Sequence, residues 1–289
     1  MLKALLLTMR PKQWTKNVFI FAALVFDKKL FHLALLAKTT AAFILFCLLS
    51  SVVYLVNDLV DMEKDRQHPA KRLRPLASGQ LQPLVAIVAA VAIPLISLPL
   101  SFALDPLFGL IALGYLLTMT AYSFVLKEIV IVDVLTVAAG FVLRVAAGVA
   151  VVHAERFSPW LYICMTLLAL FIGIARRRHE LVLLEGNASE HRAILGEYNL
   201  RLLDEMITLV TAATMIAYSL YTFSAPNLPK NHAMMLTIPF VLYGMFRYLY
   251  LIHVRHEGGS PEELVFQDRP LLLAVVLWGL TVVVIMYVL

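Results

Sequence analysis

The feature that most limits what this chain can become is a succession of apolar runs. They cover approximately residues 15–33, 38–56, 83–103, 107–125, 131–151, 159–175, 206–223, 234–252 and 271–288. About 20 apolar residues are what an α-helix needs to cross a bilayer's hydrocarbon. Helix is also the conformation that satisfies every backbone N–H and C=O in the absence of water. The first run is the weakest, because Asp27, Lys28 and Lys29 interrupt it. Hydrophobic residues make up 61% of the 289 and charged residues only 15%, whereas soluble domains have about 25% charged residues. No soluble core could enclose that much apolar surface, so lipid must face part of it. The chain reads as an all-α integral membrane protein of about nine transmembrane helices, one domain over residues 1–289. No cleavable leader is read, since Lys12, Lys16, Lys28 and Lys29 break up the first run. Cys47 and Cys164 lie in apolar runs and read as small core residues. No polar stretch is long enough for a domain outside the membrane, so any chemistry must sit at its surface.

Charge orients the spans. Of the 24 Lys and Arg, 17 fall at the N-terminus or in the loops after spans two, four, six and eight, and five (Lys28, Lys29, Lys38, Arg156, Lys230) on the other side. Arg144 and Arg247 lie inside spans. Cytoplasmic loops carry the excess of Lys and Arg, which places the N-terminus in the cytoplasm; the inner (plasma) membrane is the expected location. Of the 19 Asp and Glu, all but Asp27, Asp105 and Glu155 share the cytoplasmic side. Carboxylates contribute little to orientation, so their concentration there calls for another cause, and a cytoplasmic active site supplies one.

The strongest local signal is Asn57-Asp58-Leu59-Val60-Asp61-Met62-Glu63-Lys64-Asp65 at the end of span two. On a continuing helix Asp58, Asp61 and Asp65 occupy i, i+3 and i+7, one face, which Asn57 joins through its i+4 relation to Asp61. Like charges along one stripe repel, and a divalent cation removes the repulsion. Mg²⁺ takes one or two carboxylates together with phosphate oxygens and water, so Asp58, Asp61 and Asp65 are the expected metal ligands. Directly after them come His68, Pro69, Lys71, Arg72 and Arg74. Proline ends the helix, and Lys71 and Arg74 would turn back beside the metal, an arrangement suited to a diphosphate. His68 has no second His or Cys at ligand spacing and reads as structural.

Further residues stand out by position. Arg144 lies in mid-span, where a charge is costly and faces a cavity or a partner. Asp133 is three turns below it, and Gly140 and Gly148 flank it at i−4 and i+4, leaving room for a close approach. A phosphate or a structural ion pair would each account for that stripe. Arg247, with Tyr243 one turn before it, is a similar case, open between a substrate contact and a snorkelling interfacial residue. Lys127 and Tyr122 end span four, as a phosphate contact and as either a contact or an interfacial anchor. In the charged segment 176–205, Arg177, Glu180 and Tyr198 are the candidates for more than solvation.

These motifs resemble the UbiA superfamily of intramembrane prenyltransferases, and in detail its decaprenyl-phosphate phosphoribosyltransferase branch. The matching stretches begin with Arg10-Pro11-Lys12-Gln13-Trp14-Thr15-Lys16-Asn17 and Tyr54 through Arg74-Pro75. They continue with Tyr122 to Lys127, Leu143-Arg144 to Gly148, Arg247-Tyr248, Pro261-Glu262-Glu263 and Asp268-Arg269. The resemblance implies a helical bundle around a central cavity open to the cytoplasm. It also implies Mg²⁺-dependent transfer of 5-phosphoribose from phosphoribosyl pyrophosphate to a polyprenyl phosphate, with Lys16 among the substrate contacts. Members that use prenyl diphosphates carry a second Asp-rich motif after span six. Here that place holds Arg176-Arg177-Arg178-His179-Glu180 and Glu185, without Asp-x-x-x-Asp. The alternative of prenyl transfer to an aromatic acceptor is weakened accordingly. A transporter with a midplane ion site is disfavoured because the charges gather at one face. The expected partners are the bilayer and the two substrates, with no nucleic acid; a homo-oligomer is left open.

Overall fold

The computed structural model describes residues 1–67, 71–154, 158–183, 193–255, 257 and 261–288, the side chains of 261–263 excepted. All regular structure among them is helical. Eight helices are long and apolar enough to cross a membrane. They are α3 (Leu33–Val60), α5 (Pro83–Leu104), α6 (Pro106–Phe124), α7 (Val132–Val152), α8 (Pro159–Leu183), α9 (Leu200–Ser224), α10 (Ile238–His253, preceded by a 3-10 turn from Ala233) and α12 (Arg269–Tyr287). Shorter helices are α1 (Leu2–Thr8), α2 (Ala22–Phe26), α4 (Met62–Gln67) and α11 (Pro261–Gln267).

The first of the nine expected spans is not a long α-helix. Pro11–Phe21 is a 3-10 helix and α2 adds only five residues. The start is set at Arg10, in the left-handed conformation directly before Pro11. The end is set at Lys28, which has φ 56°. A 3-10 helix rises about 2 Å per residue against about 1.5 Å for an α-helix, so the stretch still has a contour near ~30 Å. A 3-10 helix is also slimmer, which suits the close packing its backbone makes on α7, described below.

The chain divides into two compact units, the first comprising Met1–Ala22, His32–Thr136 and Leu143–His153, the second Ala23–Phe31, Val137–Val142 and Ala154–Leu289. In the first unit Ile20, Phe46, Phe108, Tyr115, Ala147 and Val151 form one buried cluster. The Phe46 and Tyr115 rings lie 4.7 Å apart within it. A second cluster joins Ala4, Met9, Leu55, Leu76, Leu81 and Ala86, and it holds the Arg74–Leu81 loop against the end of α3. Helix α5 carries Pro94 and Pro99 in its interior. Ser97 and Ser101 donate to the carbonyls of Ile93 (2.8 Å) and Ser97 (2.7 Å), which keeps their hydroxyls paired within the apolar helix. In the second unit Met234, Val282, Ile285 and Met286 form a cluster with Val25 and Phe26. There the Tyr218 hydroxyl, within 2.6 Å of Thr237 Oγ1, accepts from Trp278 Nε1 at 2.7 Å.

Candidate active site

The end of α3 delivers the carboxylates. The helical path runs on through Asp61, whose N–H donates to Asn57 O at 3.0 Å and whose carbonyl accepts from Asp65 N–H at 2.8 Å. Asp58 and Asp65 are both buried. One nitrogen of Arg74, Nη1, lies 3.2 Å from Asp58 Oδ1 and 2.5 Å from Asp65 Oδ2. Arg10 donates to the same Asp58 oxygen at 2.5 Å while its guanidinium stacks 5.0 Å over the Tyr54 ring. Two buried carboxylates and two guanidinium groups therefore converge, with charge-assisted geometry of the kind that binds phosphate.

Asp61 departs from expectation. It turns to Lys127, which donates to its Oδ1 at 2.5 Å. Among the described residues no group of three His, Cys, Asp or Glu side chains could hold a metal ion, so the expected three-aspartate ligand set does not converge. Two causes act together. Asp61 is the C-cap of α3, at φ −91° and ψ 3°, where the chain leaves regular α geometry. Lys127 is buried and requires a counter-charge. Asn57 is half-buried on the same helix and makes no side-chain hydrogen bond among the described residues.

The cationic loop is tied from within. Arg74 O accepts from Ser78 N–H at 2.9 Å and Pro75 O from Leu81 N–H at 2.9 Å. Gly79 turns the chain at φ 77°, a conformation that favours glycine. Lys71, half-buried, opens the short 3-10 turn before Arg74. His68 and Pro69, where the helix stop is expected, lie outside the described residues. Lys16 is half-buried on the 3-10 helix, and Tyr122 is half-buried near the end of α6.

Arg144 is buried, but its surroundings are the protein's own. It donates through Nε to Asn17 Oδ1 at 2.7 Å and through Nη2 to Tyr115 Oη at 2.9 Å, and stacks 4.8 Å over the Tyr115 ring. Asn17 in turn donates to Ser50 Oγ at 3.2 Å. At Gly148 the group that approaches closely is the protein's own backbone: a Cβ there would collide with the carbonyl of Ile20. Gly148 seats the 3-10 helix on α7.

The remaining candidates lie in the second unit. Arg177 is buried and donates to Glu180 Oε2 at 2.9 Å, while exposed Arg176 reaches Glu180 Oε1 at 3.3 Å. Tyr198 is buried at the end of the 3-10 turn Ala193–Glu197. Glu185 falls outside the described residues. Arg247 lies within α10 and is engaged by a carboxylate of the protein's own. It forms a two-pronged pair with Asp268, Nε to Oδ1 at 3.1 Å and Nη2 to Oδ2 at 2.8 Å. Asp268 also caps α12 by accepting from Leu271 N–H at 2.9 Å, and Arg247 holds the Asp268 carboxyl below the usual carboxylate range.

Sequence reasoning quoted Arg10 only within a motif and missed it as the partner of Asp58, 48 residues away. It also missed Asn17 and Tyr115 as the seat of Arg144, and the Arg178–Asp204 pair at 2.5 Å. No local spacing encodes such meetings.

Described residues that are all helical, eight helices among them long and apolar enough to cross a membrane, and a carboxylate–guanidinium cluster at a helix end define a multi-pass membrane enzyme that handles phosphorylated substrates. The chain belongs to the UbiA prenyltransferase family, which it matches over residues 17–267. It is 33% identical over 280 residues to the decaprenyl-phosphate phosphoribosyltransferase of Mycobacterium tuberculosis, covering 94% of this chain and 91% of that protein. To the protein of the same name from Corynebacterium glutamicum it is 31% identical, covering 100% and 87%. Among solved structures, a UbiA homolog from Archaeoglobus fulgidus bound to GPP and Mg²⁺ superposes with a TM-score of 0.73 at 19% identity, over 99% of this chain and 100% of that one.

Proposed function

We propose that this protein transfers a 5-phosphoribosyl group from phosphoribosyl pyrophosphate to a polyprenyl phosphate, such as decaprenyl phosphate, releasing pyrophosphate. The observation that carries this reading is the nearly end-to-end similarity to proteins named decaprenyl-phosphate phosphoribosyltransferase. The cluster of Asp58, Asp65, Arg10 and Arg74 suits such substrates. In the reaction a lipid phosphate oxygen forms a bond to the anomeric carbon of the ribose as the bond from that carbon to the pyrophosphate oxygen breaks. The lipid phosphate is already an anion at neutral pH, so no strong general base is required. The protein's contribution is positioning and charge stabilisation. Arg74, Arg10, Lys71 and Lys16 are the donors for phosphate oxygens, and Lys127 joins them from its pair with Asp61. Arg177, Glu180, Tyr198 and Tyr122 remain candidates for substrate contacts. Arg144 and Arg247 are engaged by Asn17, Tyr115 and Asp268, which supports a framework role for both.

Mg²⁺ is the implied cofactor, and the residues fit it in a reduced form. Asp58 and Asp65 are hard oxygen donors that already converge on a single cationic nitrogen, and Mg²⁺ needs only one or two carboxylates beside phosphate oxygens and water. Asp58 and Asp65 would hold the ion, and Asp61 would hold Lys127. When bound, Mg²⁺ supplies neutralisation of the charge that develops on the departing pyrophosphate.

The Lys and Arg bias supports an N-terminus and a site on the cytoplasmic side of the inner membrane, where a water-soluble sugar phosphate would arrive. The test is direct: purified protein, Mg²⁺, labelled phosphoribosyl pyrophosphate and a polyprenyl phosphate should give a lipid-soluble labelled product. Asp58→Asn and Asp65→Asn should nearly abolish it. No lipid product from the sugar donor, together with label transfer from a prenyl diphosphate to an aromatic acceptor, would establish the prenyltransferase reading instead. That second reading has a specific support, the solved UbiA homologs bound to DMAPP or GPP.

A further inference from the structure

In the second unit α10 and α12 leave a groove of about 440 Å³ between them. Its walls are Phe240 and Tyr243 on α10 and Leu273 and Leu277 on α12, and Ala274 lies between Leu273 and Leu277. Ala274 is buried, whereas Tyr243 is 48% and Leu273 58% exposed. A small residue flanked by exposed large ones leaves an open groove along the helix pair. At one end stands Arg269, exposed, at the first position of α12. From Arg269 to Leu277 is eight residues, about 12 Å of helix, so the channel runs from the membrane edge into the apolar layer.

The charge at the mouth is unbalanced. Arg269 makes no hydrogen bond or ion pair among the described residues, although a carboxylate adjoins it in sequence. That carboxylate, Asp268, is taken up by both prongs of Arg247 and by the Leu271 N–H. A guanidinium at the level where lipid headgroups lie, above an apolar channel, is complementary to a phosphate that carries a hydrocarbon tail.

We propose that this groove is a binding site for an anionic membrane phospholipid, its phosphodiester on Arg269 and one acyl chain along Tyr243, Leu273 and Leu277. A phosphodiester carries one negative charge and matches one guanidinium. The phosphomonoester of a polyprenyl phosphate carries more charge and would call for more cations than the groove wall offers. The lipid would brace α10 against α12 beside the Arg247–Asp268 pair. The proposal does not depend on the proposed reaction.

The test is native mass spectrometry of the full-length protein released from nanodiscs of phosphatidylcholine doped with phosphatidylglycerol. Wild type should retain phosphatidylglycerol preferentially through delipidation. Arg269→Gln should lower that preference about fivefold, the value of one cation near a membrane phosphate, and Arg269→Lys should restore part of it. Leu273→Trp, which fills the channel and leaves the cation, should remove the retained lipid as well. Equal retention by wild type and Arg269→Gln would overturn the site. Loss in Arg269→Gln with full retention in Leu273→Trp would overturn it too, because the cation would then act as diffuse surface charge. Displacement of phosphatidylglycerol by equimolar polyprenyl phosphate would show the wrong lipid had been assigned.

Discussion

Lys127 Nζ lies 2.5 Å from Asp61 Oδ1, although 66 residues separate the two, and this pair joins the end of α6 to the end of α3. Both side chains are largely shielded, so removing one strands the other. Lys127→Met or Asp61→Asn should each cost about 2–4 kcal/mol, the range for breaking a shielded ion pair. The double variant should cost clearly less than the sum. Thermal unfolding of the four proteins in one detergent measures this, and strictly additive losses would mean that the pair contributes nothing.

The two-carboxylate metal set makes a separable claim. Mn²⁺ binding in the presence of pyrophosphate, followed by electron paramagnetic resonance, should be lost in Asp58→Asn and Asp65→Asn. Asp61→Asn should retain it, with an affinity within about threefold of wild type, since only an indirect charge has changed. Equal loss in all three variants would restore the three-aspartate site.

How much could be read beforehand follows from the range over which each feature is encoded. Hydrophobic runs are local, and seven of the nine expected spans reappear as single α-helices, although α8 runs on to Leu183, past the expected end at 175, and α9 starts at Leu200, before the expected start at 206. The eighth begins in the 3-10 turn before α10. The first failed because hydropathy cannot tell a 3-10 helix from an α-helix. Its geometry depends on Pro11, on the left-handed Arg10 and on Gly148 far along the chain. Helical periodicity places Asp58 and Asp65 on one face, and in the structure they share Arg74 Nη1. Asp61 satisfied the same periodicity and went elsewhere, because Lys127 competes for it and no one-dimensional pattern records a competitor. Arg144 and Arg247 meet Asn17, Tyr115 and Asp268, partners distant in sequence that no local pattern names.

Asp268 gives a pH dependence with a definite sign. The hydrogen bond from Arg247 depresses its folded pKa. The stability it contributes is therefore present above the unfolded carboxylate value of about 3.9 and is lost as pH falls through the depressed folded value. Asp105 acts in the same direction: burial opposes the shift, but the Phe108 N–H, Lys38, His153 and the Leu107 N–H outweigh it. Asn caps helices as well as Asp, so Asp268→Asn removes the charge and keeps the cap. Melting temperatures between pH 3 and pH 6 should show a shallower acid loss in Asp268→Asn than in wild type. Parallel curves would remove Asp268 from the account.

Arg144→Gln should behave as a packing lesion. Its Nε bond to Asn17, its Nη2 bond to Tyr115 and its stacking on that ring all disappear, at a cost of about 2–4 kcal/mol for a buried, hydrogen-bonded charge. Folded yield should fall, while KM for phosphoribosyl pyrophosphate in the surviving fraction stays within about twofold of wild type. A tenfold rise in that KM with unchanged yield would return Arg144 to the substrate.

Gly148 tests the seat of the 3-10 helix. An added Cβ would fall within 2.8 Å of the Ile20 carbonyl carbon and closer still to its oxygen, both backbone atoms that no side-chain rotation can move. Gly148→Ala must therefore push the 3-10 helix off α7, with overpacking costs of about 1–3 kcal/mol. It must also loosen the Asn17–Arg144 bond, which crosses the same interface. Gly114 on α6 is the matched control, because nothing lies within 4 Å of its Cβ direction. Gly114→Ala should be neutral or stabilising by up to about 1 kcal/mol from helix propensity alone. Melting curves of the two variants should move apart. If Gly148→Ala melts with Gly114→Ala, the 3-10 helix does not rest on α7 as closely as the Ile20 carbonyl indicates.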